Sequence, residues 1–322
     1  YNPIEKPSSS VSFLTKKTNE DYFIKKGSWL VNDPLVIEGN LTIEAGTELI
    51  FSKHSYLIVK GKINFNGRVD SKIQLVPKED YWKGFYLISE KEMKSVIRNV
   101  EVRNTVATED GILKLTGGFT IYNSDILINN LSFKDSIAED SINIVDSTVN
   151  INNLSIEGSI SDGLDCDFCE GVISNTYVNE IGGDAIDFSG SEVEIYNASI
   201  SNVKDKAISV GEKSYIKVLK SDFKKVGVGV ASKDSSETHI YDSAIKDFSL
   251  FAAMTYQKKM IFNSESNLYL NNTNIIGENP FRSQKGTNLY VDNIKIPESD
   301  LNVDEMYSQG VMKKWKMISD MK

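Results

Sequence analysis

The sequence predicts an all-β fold, a right-handed parallel β-helix with coils of about 22 residues and a cap at each end. Two observations predict it. A short strand pattern, S-x-V-x-I-x-N-x-x-I, recurs through the second half, and its apolar positions keep one register over seven repeats. The pattern begins at Ser124 and returns at Ser147, Cys169, Ser191, Ser214, Ser236 and Ser266, in steps of 23, 22, 22, 23, 22 and 30 residues. The last step holds an insertion around Lys258 to Ser264.

The repeat aligns residues into ladders. One apolar ladder runs Ile128, Ile151, Ile173, Ile195, Val218, Ile240, Leu270, and a second runs Phe133, Ile156, Val178, Ile200, Phe223, Ile245, Ile275. A polar ladder runs Asn130, Asn153, Asn175, Asn197, Lys220, Asp242, Asn272. In a solenoid each coil stacks on the last at strand spacing, about 4.8 Å, so equivalent residues lie above one another. Apolar ladders then fill a continuous interior, and stacked Asn side chains can hydrogen-bond along the axis. A leucine-rich repeat has a similar period but needs Leu at fixed sites and usually a helix per unit. The coils here are rich in Ile, Val, Thr, Ser and Gly, which favours strand and turn.

A further strand per coil follows its own register, with Ile142, Leu164, Ile186, Ile208 and Val230 inward, and Ile144, Cys166, Phe188, Val210 and Ser232 two residues on. Residues 35–290 are read as the β-helix, with a leader or cap over 1–34 and a partly helical cap over 291–322. Trp82 is expected to pack near the first coils.

Composition narrows the function. The 322 residues carry a net charge of −9, which argues against a nucleic-acid partner. No run of 18 apolar residues suggests a membrane span. The chain opens at Tyr1 with no signal-like stretch, as expected of a mature or excised form. Two cysteines are too few for a disulfide framework. A lone Cys166-x-x-Cys169 offers too few ligands for structural zinc. The register puts Cys166 in a core slot and Cys169 in the Ser ladder, so both are read as structural.

The segments SDGLDCDFCEG, GDAIDFSGS, DKAISVGEKS, VGVASKDSS and TYQKK resemble secreted bacterial right-handed β-helix repeat proteins, whose repeats also occur beside spore-coat-kinase-like domains. The resemblance spans roughly residues 35–290 and implies a secreted or cell-surface module. A distant likeness to pectinase-type hydrolases is incomplete. SDGLD is similar to part of the N-T-D-G motif, with Asp162 in the acid's place. GGDAI keeps only Asp184 of the G-D-D pair, Lys206 stands where G-H-G-I-S-I-G has His, and no R-I-K motif occurs.

Acidic residues cluster on one face. Asp165 and Asp187 share an outward column, Asp167 lies beside them, and Asp140, Asp162 and Asp184 form another column that Lys206 continues. Carboxylates about 5 Å apart repel unless a cation, a proton or a base intervenes. Ca²⁺ held by Asp165, Asp167 and Asp187 is one solution. Acid/base chemistry on a sugar by Asp162 and Asp184 is another; the plainer alternative is turn capping by Asp. A lyase or epimerase reading needs a base and a uronate neutraliser, with Lys206 as the base candidate. Lys213, Lys233, Tyr256 and Lys258 are the substrate-binding candidates. His54 and His239 lack ligand sets and are expected to be solvated. The expected partner is a polysaccharide or cell-surface glycan, bound or processed; a non-catalytic scaffold or adhesin-like domain is the rival. The sequence leaves oligomeric state open.

Overall fold

The computed structural model describes residues 12–110, 113–263, 265–309 and 312. It has the right-handed parallel β-helix that the repeat predicts, with about 12 turns. Three strands per coil form three parallel sheets. In one coil, Asp162–Asp167 belongs to the first sheet. The next strand, Glu170–Ile181, bends at Asn175 and serves the second sheet with its first half and the third with its second.

Every predicted apolar ladder is a column of paired residues. Ile151 pairs with Ile173 and Ile173 with Ile195. Ile156, Val178 and Ile200 do the same in the third sheet, and Leu164, Ile186 and Ile208 in the first. These side chains are almost wholly buried in one continuous core. Trp82 is buried and stacks on Phe51 with ring centroids 3.9 Å apart.

The corners explain the polar ladder. Asn130, Asn153, Asn175, Asn197, Lys220, Asp242 and Asn272 all take left-handed backbone, with φ from +48° to +67°. Asn and Asp tolerate this conformation best after Gly, because a short polar side chain bonds locally. The amides also run up the axis: Asn197 donates to Asn175 at 2.7 Å, and Asn272 donates to Asp242 at 2.6 Å. The corner between the third and first sheets repeats the device at Asp135, Glu180, Asn202, Lys225 and Asp247. The corner between first and second sheets does so at Asn123, Asp146, Phe168, Gly190 and Glu212.

The Ser ladder ties each coil to the next. The amides of Ser124, Cys169, Ser191 and Ser214 donate to the hydroxyls of Ser147, Ser191, Ser214 and Ser236 one coil on, at 2.8–3.1 Å. Cys169 takes its place in this column and is disulfide-bonded to Cys166, both fully buried. The pair is structural, yet as one cross-link within a coil and not as two separate thiols.

Parallel pairing already starts at Asp21–Ile24 and Gly27–Val31, inside the segment read as a leader. Leu14–Lys16 folds back antiparallel on Asp21–Ile24. At the other end Ile294–Lys295 folds back on Asn288–Val291. A short helix, α1 (Val303–Ser308), follows and is N-capped by Asn302. Residues 1–11, 310, 311 and 313–322 of the expected caps lie outside the described residues.

Removing a rung of the core tests the stacking. Ile173→Ala is expected to lower unfolding free energy by about 2–5 kcal/mol, read as a lower denaturant midpoint with an unchanged slope.

Candidate functional site

The outer face of the first sheet carries the acidic columns in register. One column reads Thr120, Asn143, Asp165, Asp187, Ser209, Ala231, Met254, Arg282. The neighbouring column reads Tyr122, Val145, Asp167, Ser189, Gly211. On the other side Asp140 pairs with Asp162, the Asp184 amide donates to the Asp162 carboxylate at 2.7 Å, and the Lys206 amide to Asp184 at 3.0 Å. Asp162, Asp165, Asp167 and Asp187 are half-buried, while Asp140 and Asp184 are buried.

Apolar cover flanks this floor. Toward the N-terminus, Tyr56, Ile58 and Tyr86 pack with Leu115, next to the antiparallel pair Thr108–Asp110 and Leu113–Leu115. Toward the C-terminus, Val228, Ala231, Met254 and Tyr256 pack under Leu301, Val303, Met306 and Tyr307 of the α1 segment. The acidic rungs lie between the two.

This cover changes the role of the basic residues. Lys206, expected as a base, has a side chain only 2% exposed and bridges Asp184 at 3.0 Å and Asp205 at 2.7 Å. Burial pulls its pKa down, but Asp184 and the groups around it hold it well above the usual lysine value. It is a structural counter-ion here. Lys233, expected to meet substrate, is buried too, bridging Asp187 at 3.3 Å and donating to Ser209 at 2.5 Å. Tyr256 is fully buried, and its hydroxyl meets that of Tyr307 at 2.5 Å, so it offers no ring to a ligand. The Lys258 ammonium lies 4.4 Å over the Tyr307 ring, next to this cap. Lys213 is exposed at the corner beyond the first sheet. Asp205 escaped the sequence reading, because it falls one residue outside the Asp184–Lys206 column.

The carboxyls divide into two kinds. Burial, then repulsion from Asp184 and Asp187, pushes Asp162 well above the ordinary carboxyl range. Burial and the neighbouring Asp187 do the same to Asp165, and act more weakly on Asp167. Asp205 is pushed up to about 7 by burial and by Asp184. Burial also opposes ionisation of Asp184, yet Lys206 and Lys233 outweigh it and hold this carboxyl below its usual value. Carboxyls whose ionisation is opposed therefore lie beside one whose ionisation is favoured.

Among the described residues, no three carboxylate, Cys or His side chains converge as metal ligands. Asp187 bridges Lys233 at 3.3 Å. His239 is not solvated as expected: it stacks on Tyr269 at 4.7 Å, and Tyr269 on Tyr290 at 5.2 Å, along the second sheet. His54 is exposed. No described helix is long and apolar enough to cross a membrane.

These features define a class, a parallel β-helix with a carboxylate-lined lateral face. Among solved structures, a double mutant of the periplasmic alginate epimerase AlgG is similar, with a TM-score of 0.54 and 12% identity over 90% of this chain and 80% of that one. A single mutant of the same epimerase gives a TM-score of 0.50 at 12% identity over 88% and 80%. The likeness at this identity is one of fold. No protein-family model matches the sequence, and no curated protein matches it.

Three outcomes follow. Lys206→Ala leaves Asp184 and Asp205 buried without their counter-ion, and is expected to cost about 3–5 kcal/mol in denaturant unfolding. Asp165 has a raised folded pKa, so its proton stabilises the fold below the unfolded value of about 4, and that contribution is lost as pH rises through the folded value. Asp165→Asn is therefore expected to raise the thermal midpoint at pH 8 and to lose this advantage toward pH 4. Thermal unfolding in EDTA and in Ca²⁺ is expected to give one midpoint; a rise of several degrees in Ca²⁺ alone would favour the cation reading.

Proposed function

We propose that the outer face of the first sheet binds a polysaccharide outside the cytoplasm, as a secreted or surface-attached module. We further propose that it prefers neutral or amino-sugar polymers to polyuronates. The observation that carries this reading is the row of aspartates from Asp140 to Asp187, buried or half-buried between two apolar walls and with most of its basic neighbours already paired. Carboxyls repeating at strand spacing suit a polymer whose hydroxyl or ammonium groups also repeat. Asp162 and Asp165, whose carboxyls are pushed toward the protonated form, are suited to donate hydrogen bonds, and Asp184, held toward the ionised form, to accept them. A polyuronate would meet net negative charge on a floor whose nearest lysines, Lys206 and Lys233, are already bridged to Asp184, Asp205 and Asp187. Lyase or epimerase chemistry loses its base for the same reason, since Lys206 lies beneath Tyr307.

The split between Asp162 and Asp184 favours a second reading, hydrolysis of the bound polymer by paired carboxyls. Calorimetric titration with cellotetraose, chitosan tetramer and tetragalacturonate separates these ideas. Binding of a neutral or cationic tetramer is expected, with at least a tenfold loss in the double variant Asp165→Asn/Asp187→Asn. Preferential binding of tetragalacturonate, or an unaffected double variant, would overturn the reading. Binding of nothing would leave a structural scaffold. New reducing ends, abolished by Asp162→Asn, would establish hydrolysis.

A further inference from the structure

The corner between the first and second sheets holds a cleft of about 480 Å³ that spans four coils. Its most unusual component is Phe168. In neighbouring coils this corner position is filled by Asn123, Asp146, Gly190 and Glu212, all in left-handed backbone. Phe168 takes the same conformation at φ +56°, which a bulky side chain adopts at a cost. Its ring is not buried in return, for the residue is 61% exposed. The next coil makes room for it: a Cβ on Gly190 would meet the Phe168 ring at 2.7 Å. The ring therefore lies along a bare backbone and keeps much of its surface open to solvent.

The rest of the cleft is polar. Glu170 pairs in register with Glu192, and Glu192 with Tyr215. All three line the cleft with Lys213, an exposed cation that the sequence reading had singled out. An open aromatic surface edged by carboxylates, a phenol and an ammonium matches a hexopyranose ring, whose axial C–H face is apolar and whose hydroxyls point outward. Phe168 directly follows Asp167, so the cleft begins where the acidic floor ends.

We propose that this corner cleft is a second sugar subsite, in which one neutral or amino-sugar ring of the same polysaccharide lies on Phe168, with its hydroxyls or ammonium donating to Glu170 and Glu192 and a ring hydroxyl accepting from Lys213. The ligand class rests on the function proposed above, but the site stands on its own residues. A chain reaching it turns off the floor at the corner, so the subsite takes a branch or a chain end.

The test uses the whole chain with cellotetraose and with chitosan tetramer. Phe168→Asn removes the ring and installs a residue suited to left-handed backbone, so folding is preserved. The expected result is a loss of affinity of about three- to tenfold, the usual range for one aromatic contact. Amide resonances of residues 168, 190, 192 and 213 are expected to shift in the parent and not in the variant. If floor amides shift while these four stay still, and Phe168→Asn binds like the parent, the subsite is wrong and the floor stands. If neither tetramer moves any amide, both readings fall.

Discussion

Register between coils is the constraint on which the rest of the structure depends. Each residue has its counterpart directly above it at strand spacing, so a side chain's neighbours are set by residues about 22 positions away. For Ile173 this is favourable, since apolar groups stack on apolar groups. For Asp165 it is not, since a carboxyl is stacked on a carboxyl. The same geometry that completes the core produces the electrostatic conflict on the outer face.

The conflict is resolved in two ways along one short stretch. Where the column reaches Lys206 and Lys233, buried ammoniums neutralise Asp184 and Asp187. Further from them, burial and neighbouring carboxylates push Asp162 and Asp165 well above the ordinary carboxyl range. Tyr307, clustered with Leu301 and Met306, lies against the buried Lys206 ammonium. The C-terminal segment is thus tied to the electrostatics of the sheet as well as to the end of the rod. A face with both donors and acceptors and few free charges is suited to uncharged or cationic hydroxyl-rich ligands.

The ladders were fully legible in the sequence, because identical residues at a fixed period have one geometric meaning. The acidic columns were legible for the same reason. What the period does not carry is the cover laid over a face by segments outside the repeat. Lys233 and Tyr256 occupy outward register positions yet are buried, Tyr256 against the cluster of Leu301, Met306 and Tyr307. The burial of Lys206 between Asp184 and Asp205 was not legible for the same reason. Phe168 was overlooked because it falls at a corner, where the strand pattern is silent, although a Phe in a column of Asn, Asp and Gly is a signal readable from sequence. The Cys166–Cys169 bond left no trace in the period, since each cysteine also fits its own column.

The two antiparallel returns have a consequence for assembly. A parallel solenoid ends in a rung of unpaired amides and carbonyls that a second copy can extend without limit. In the second sheet, Leu14–Lys16 seals one such edge and Ile294–Lys295 the other, both by reversing chain direction. A newcomer arriving in parallel register finds those positions taken, so along that sheet the terminal rungs are covered by the chain's own reversed strands.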